Sequence, residues 1–261
     1  MRVTQGLTKA LGYLREHGLL ASERKVRDRG EDRADISGPK KTDFRGTYER
    51  HVAAMHEVHS SDKALEQAIG GNFSAFGVLQ RELLVQHGLQ PAGYLIDVGC
   101  GSGRLTGALQ QYFRGNYLGI DVIPELLEHA RGLCTSKAAS WTFSQAPGLQ
   151  IPETSGVANM VCFFSVMTHL LHEESYVYLQ EAKRVLKPGG TVVISFLEFS
   201  IPSHWAVFAE NIRHVGDSHH LNQFMSRDLL RAWAQQLDLT IDAIYDGDKC
   251  QRRLKTDPLC S

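Results

Sequence analysis

Neither sign of charge is in surplus: Lys and Arg total 28 against 29 Asp and Glu, a formal net charge of −1. Phosphate binding usually leaves a basic excess, so nucleic acid is not expected as the main partner. A long hydrophobic run is missing too. The longest, Val157 to Met167, is interrupted by Asn159 and falls well short of the roughly 20 residues that span a bilayer, so no membrane segment is expected. The N-terminus has no apolar core of the signal-peptide kind. Arg2, Lys9 and Arg15 among Leu7, Leu11 and Leu14 imitate a transit peptide, but Glu16 and Glu23 soon break that pattern. Cysteine is scarce and scattered: Cys100, Cys134, Cys162, Cys250 and Cys260 form no C-x-x-C pair. Neither a disulfide framework nor a zinc knuckle is suggested. Reduced thiols fit a cytoplasmic protein.

What remains is an ordinary globular composition, 43% hydrophobic over 261 residues, enough to bury a full core. Leu7, Leu11, Leu14 and Leu19 recur at helical spacing over 3–19. A mixed-charge arm with Ser37-Gly38-Pro39 follows over 21–45, and helical patterns return at Tyr48–His59 and Asp62–Ile69. Residues 1–69 therefore read as a helical extension with too little core to fold alone. A second copy could accept its leucine stripe, giving a homodimer.

Residues 70–261 read as the main domain. After a helix over Ala75–Gln86, strand and helix alternate. Strands are predicted at Tyr94–Val98, Asn116–Ile120, Trp141–Ser144, Ala158–Val166, Thr191–Phe196 and Leu239–Tyr245. Helices are predicted at Arg104–Phe113, Glu125–Leu133 behind Pro124, Glu173–Leu186 stopped by Lys187-Pro188-Gly189-Gly190, and Arg227–Leu237 capped by Ser226. Alternating units of this kind imply an α/β, doubly wound, mostly parallel sheet.

The first strand ends in Asp97-Val98-Gly99-Cys100-Gly101-Ser102-Gly103. Glycines at alternate positions let the backbone turn tightly and let a ligand approach. The spacing is G-x-G-x-G. A dinucleotide fingerprint would need a glycine where Arg104 stands. Asp97 suits an amine better than a pyrophosphate. Asp121 lies 18 residues after Gly103, at the end of the second strand. It is placed to accept hydrogen bonds from a ribose diol, or else to cap the helix at Pro124.

The stretch Leu95–Gly103 with Asp121 resembles the signature of class I S-adenosylmethionine-dependent methyltransferases. Cys162–Leu170 and Arg184–Gly190 resemble segments of bacterial small-molecule members. The likeness covers about 70–245. It implies a seven-stranded Rossmann-like sheet with a reversed last strand and S-adenosyl-L-methionine as cofactor. By that likeness Asp97, Gly99, Cys100, Gly101 and Gly103 face the methionine part. Asp121 holds the ribose, Val122 or Ile123 lies against the adenine, and Phe164 and Ser165 border the sulfonium. The family's usual acid after the third strand is missing; Gln145 could supply an amide acceptor there instead. Gly70-Gly71-Asn72-Phe73 either folds over the cofactor or is a simple helix break.

A methyl sulfonium needs in-line attack by a nucleophile, and a hydroxyl acceptor benefits from a base. His169, just past the fourth strand, is the candidate base for O-methylation of a small molecule, with His172 three residues on as the second choice; otherwise His169 caps or packs near the helix that follows. Glu198, His204 and Trp205 follow the fifth strand and are candidate acceptor contacts, while Phe208 and Phe224 could line a pocket or belong to the core. Asp217-Ser218-His219-His220 has no spacing that fixes a metal site, and no metal is expected. A catalytically silent cofactor-binding subunit and a macromolecular methyl acceptor are the competing functions.

Overall fold

A computed structural model describes residues 2–5, 46, 49, 73–215 and 222–246. Seven strands form one sheet: β1 (Arg2–Gln5), β2 (Tyr94–Val98), β3 (Asn116–Asp121), β4 (Ser140–Gln145), β5 (Ala158–Phe163), β6 (Leu186–Phe196) and β7 (Ile244–Tyr245). Their order is β4-β3-β2-β5-β6-β1-β7. The helices are α1 (Phe73–Gln86), α2 (Arg104–Leu109), α3 (Pro124–Gly132), α4 (His172–Val185), α5 (Pro202–Arg213) and α6 (Arg227–Gln236).

Alternation along the strands builds a core on each face. Leu95, Tyr117, Met160, Cys162 and Val193 pack with Leu83 and Leu84 of α1 and Leu105 and Leu109 of α2. Ile96, Val98, Ile120, Val161, Phe163 and Ile194 pack with Tyr178, Leu179 and Ala182 of α4 and Leu230 and Ala234 of α6. Helices on both faces are the doubly wound arrangement. Parallel registers Val98↔Ile120 and Val98↔Phe163 bring the carboxyl ends of β2, β3 and β5 level, which is where such sheets bind ligands.

Several expectations change. The reversed last strand is absent among the described residues: every recorded pairing is parallel, β7 with β1 included. β1 occupies the place beside β6, and α6 returns the chain to the sheet edge in the parallel sense. The leucine-spaced stretch expected to be helical from residue 3 starts as strand β1; the remainder of the extension, apart from Gly46 and Glu49, lies outside the described residues. α2 ends at Leu109 because Phe113, fully buried, owes its apolar character to the core and not to a helix face. β5 ends at Phe163 instead of Val166, because Ser165 takes a left-handed turn at φ 59°. β6 starts at Leu186, with an irregular register opposite Ala158–Met160. The last strand shrinks to Ile244–Tyr245, since its polar neighbours offer little to bury.

Candidate active site

The turn after β2 is built from backbone. Gly99 and Cys100 both donate N–H to the carbonyl of Ile120, at 2.7 and 3.0 Å, and Gly103 donates to Cys100 at 3.1 Å. Gly99, Gly101 and Gly103 sit at φ 73°, 56° and 90°, a region costly for any residue with a Cβ. At Gly99 space is also missing: an added Cβ would stand 2.3 Å from a Val166 methyl. The turn after β5 therefore rests directly on the turn after β2.

Two carboxylates lie beneath and beside this turn. Asp121, 7% exposed, accepts from the N–H of Gly101 at 2.9 Å and of Ile123 at 3.0 Å. It thus ties the glycine turn to the residue that opens α3, and the simple helix-cap reading is incomplete. Burial raises its pKa, and the backbone donors of Ile123, Gly101 and Val122 pull against that. Asp97 is buried on the α1–α2 face. It accepts from the Tyr117 hydroxyl at 2.8 Å and the Cys162 thiol at 3.4 Å. Burial lifts its pKa to about 6, while those two donors lower it. Cys100, also buried, has its thiol pushed well above the usual range by desolvation.

Gln145 pairs with Asp121 across β3–β4, and its amide donates to the carbonyl of Val122 at 3.0 Å. That donation leaves the Gln145 carbonyl as an outward acceptor beside Val122. Phe164 is partly buried and packs against the core on the α1–α2 face. Ser165 is held in its left-handed conformation from two sides. Its N–H donates to the Ser195 hydroxyl at 2.7 Å, and its carbonyl accepts from Thr168 at 3.1 Å. His169 closes the short 3-10 turn Met167–His169, with its N–H bonded to Val166. His172 instead bonds the Phe224 carbonyl at 2.9 Å and meets Trp233 edge-on, so packing engages it.

Beyond β6 the side chains dominate. Glu198, 7% exposed, accepts from Arg227 Nε at 3.0 and 3.1 Å, and Arg227 also reaches Asp246 at 2.6 Å. Glu198 N–H donates to His204 Nδ1 at 3.0 Å, and His204 is almost wholly buried. Glu198 and His204 are thus brought together, but facing inward. Trp205 faces out, 53% exposed, with half-exposed Phe199 at 6.4 Å between ring centroids. Phe199 stacks on Phe224 at 4.6 Å, and Phe208 fills the angle between them. The segment carrying Phe224 is docked by Gln223 N–H on the Thr168 carbonyl at 2.7 Å and Met225 N–H on Leu197 at 2.9 Å. A chain of contacts therefore runs from Ser165 through Thr168 to the aromatic cluster. Asp217–His220 and Gly70–Asn72 lie outside the described residues.

Tyr117, Ser195, Phe199 and Arg227 were not among the expected site residues. A hydroxyl inside each of the apolar strands β3 and β6 was a visible anomaly. The Glu198–Arg227 pair, 29 positions apart, left no local mark.

The donor–acceptor character favours a cationic, hydroxyl-rich ligand. Buried carboxylates accept from an ammonium and a diol, whereas a pyrophosphate would face them like charge to like charge. The residues thus fit the chemistry of S-adenosylmethionine, which carries an ammonium and a ribose diol.

Residues 95–190 match a family model described as a methyltransferase domain. A malonyl-[acyl-carrier protein] O-methyltransferase of Hahella chejuensis is 28% identical over 139 residues, 51% of this chain and 46% of that protein. A ubiquinone biosynthesis O-methyltransferase of Xanthomonas campestris is 25% identical over 161 residues, 59% of this chain and 65% of that one. The chain spans about half to two thirds of the length of these curated relatives. The YcgJ protein of Bacillus subtilis superposes with a TM-score of 0.50 at 18% identity, over 70% of this chain and 79% of its own, a likeness of fold alone.

Proposed function

Starting from a chain whose residues 95–190 match a methyltransferase-domain model, we propose that it is a class I S-adenosylmethionine-dependent methyltransferase that O-methylates a small molecule. The observation that carries the reading is the buried Asp121 carboxylate bonded to Gly101 N–H at the glycine turn. An acid fixed there keeps unused lone pairs for a ribose diol. The hydroxyl as acceptor is supported by the names of the two relatives above.

The cofactor supplies an electrophilic methyl carbon on a sulfonium. Asp97 would receive the ammonium of its methionine part, with the glycine turn alongside. Asp121 would accept from the ribose, Val122 or Ile123 would lie against the adenine, and the Gln145 carbonyl would meet its amine. Phe164 and Ser165 border the reacting end. The left-handed turn at Ser165 ends β5 and takes the chain out of the strand direction. His169 takes the proton of the acceptor hydroxyl. Trp205 and Phe199 offer apolar faces to the acceptor, and Glu198 with His204 braces the turn from β6 into α5. The small-molecule acceptor is the only partner the reading needs. Among the described residues, no helix is long and apolar enough to cross a membrane.

Labelled methyl donor incubated with pooled hydroxylated metabolites tests the reading. The expected result is label in an ether product. His169→Ala should lower turnover about 10²–10⁴-fold with cofactor affinity unchanged. Label in an amine, in macromolecules only or in nothing would overturn O-methylation of a small molecule.

A further inference from the structure

Asp97 does not stand alone beneath the glycine turn. Tyr117, two positions before the residue that faces Asp97 across β2–β3, sends its hydroxyl back to the carboxylate at 2.8 Å. The same hydroxyl accepts from the Thr106 hydroxyl of α2 at 2.9 Å. All three groups are buried. With Thr106 donating, the phenol proton points to Asp97, so the direction of the relay is set. The Tyr117 ring lies between Trp141 and Phe143, at 5.2 and 5.7 Å, in a core made otherwise of Leu, Phe, Met, Cys and Val. A phenylalanine would fill that space. A buried phenol hydroxyl costs free energy unless it is bonded, and its two partners are a carboxylate and the threonine that aims it. Packing alone therefore does not account for the tyrosine.

We propose that Tyr117 is a positioning residue for the cofactor site: its hydroxyl, aimed by Thr106, holds the Asp97 carboxylate ionised and oriented to receive the cofactor ammonium. The inference rests on the cofactor reading above, and it assigns a task to β3 and α2 residues outside the glycine motif. The groups facing Asp97 are Tyr117 of β3, Cys162 of β5, and Cys100 and Asp121 at the turn. The two hydrogen-bond donors favour the carboxylate, and Asp121 opposes it. Asp97, whose pKa stands at about 6, must be charged to attract an ammonium, so cofactor affinity falls as pH drops through that value. Without the Tyr117 donor the midpoint of this fall moves to higher pH.

Calorimetric titration of the full chain with S-adenosylhomocysteine from pH 5 to 8 tests this, comparing wild type with Tyr117→Phe and Thr106→Val. Both substitutions conserve volume, and circular dichroism with thermal unfolding controls for the fold. Tyr117→Phe should weaken binding about 10–100-fold near neutral pH, the range expected for one hydrogen bond to a charged group, and shift the midpoint upward. Thr106→Val should do the same to a smaller degree. Unchanged affinity in Tyr117→Phe would overturn the proposal. So would a lowered affinity with an unshifted midpoint, because a merely structural loss acts equally at every pH. A wild type that binds no S-adenosylhomocysteine at any pH would sink the cofactor reading itself, and the proposal with it.

Discussion

The two ends of the site are made of different materials. At β2–β3–β4 the turn is held by backbone bonds and by two buried acids, Asp97 and Asp121, each tied to a partner 20 residues away. At β5–β6 the site is made of side chains from α4, α5, α6 and the loops between, with Phe199 and Trp205 half in water. A ligand of fixed shape suits the first construction, because backbone bonds hold it to one geometry. The second can change one aromatic or charged residue without disturbing a backbone bond. The difference locates constancy in the backbone half and specificity in the side-chain half.

The strongest way to break that division is Gly99→Ala. The new Cβ meets Val166 from the other half, in a left-handed conformation. Overpacking and backbone strain together should cost about 2–5 kcal/mol in denaturant unfolding and abolish cofactor binding. A loss under about 1 kcal/mol would mean the two turns yield independently.

Next in size is the pH response of the unliganded protein. Burial raises Asp97 from 3.8 to about 6, so the folded state holds its proton more tightly than the unfolded state. The resulting stability is complete below about pH 4 and lost as pH rises to about 6, on the order of 3 kcal/mol. Wild type should therefore lose stability relative to Asp97→Asn across that window. A flat difference would show that the acid is already matched by a cation or by water.

Arg227→Met sharpens the comparison from the other side. It strips the partner from buried Glu198 and should cost about 1–3 kcal/mol. Acceptor KM should rise, with cofactor affinity within about twofold; a larger change in cofactor affinity would join the halves. The smallest effect is expected for Trp205→Ala, an exposed ring at the cluster edge. Losing one aromatic contact, about 1 kcal/mol, should raise acceptor KM severalfold and leave stability and cofactor affinity alone. An unchanged KM would remove Trp205 from the acceptor's path.

The same contrast explains what was legible. The strands β2, β3 and β4, the helix α3 behind Pro124 and the cap at Ser226, which accepts from Leu229 N–H at 3.1 Å, all follow local periodicity and capping chemistry. Phe113 and Val166 misled because an apolar residue reads alike in a helix, a strand or a core turn. Glu198 and His204 were read as open loop residues, since burial of a polar side chain depends on a partner that no neighbouring residue announces.

By itself the sequence determined the βα alternation, the glycine turn with its two acids, and so the kind of ligand: short-range patterns dictate backbone geometry, and backbone geometry dictates that half of the site. Only the tertiary structure decided that Tyr117 reaches Asp97, that Ser195 props the left-handed Ser165, that Arg227 closes over Glu198, and that Phe199 joins Trp205 in the open. Those contacts join residues separated by 6 to 30 positions on different elements, and their energies depend on burial that exists only once the sheet and helices have packed.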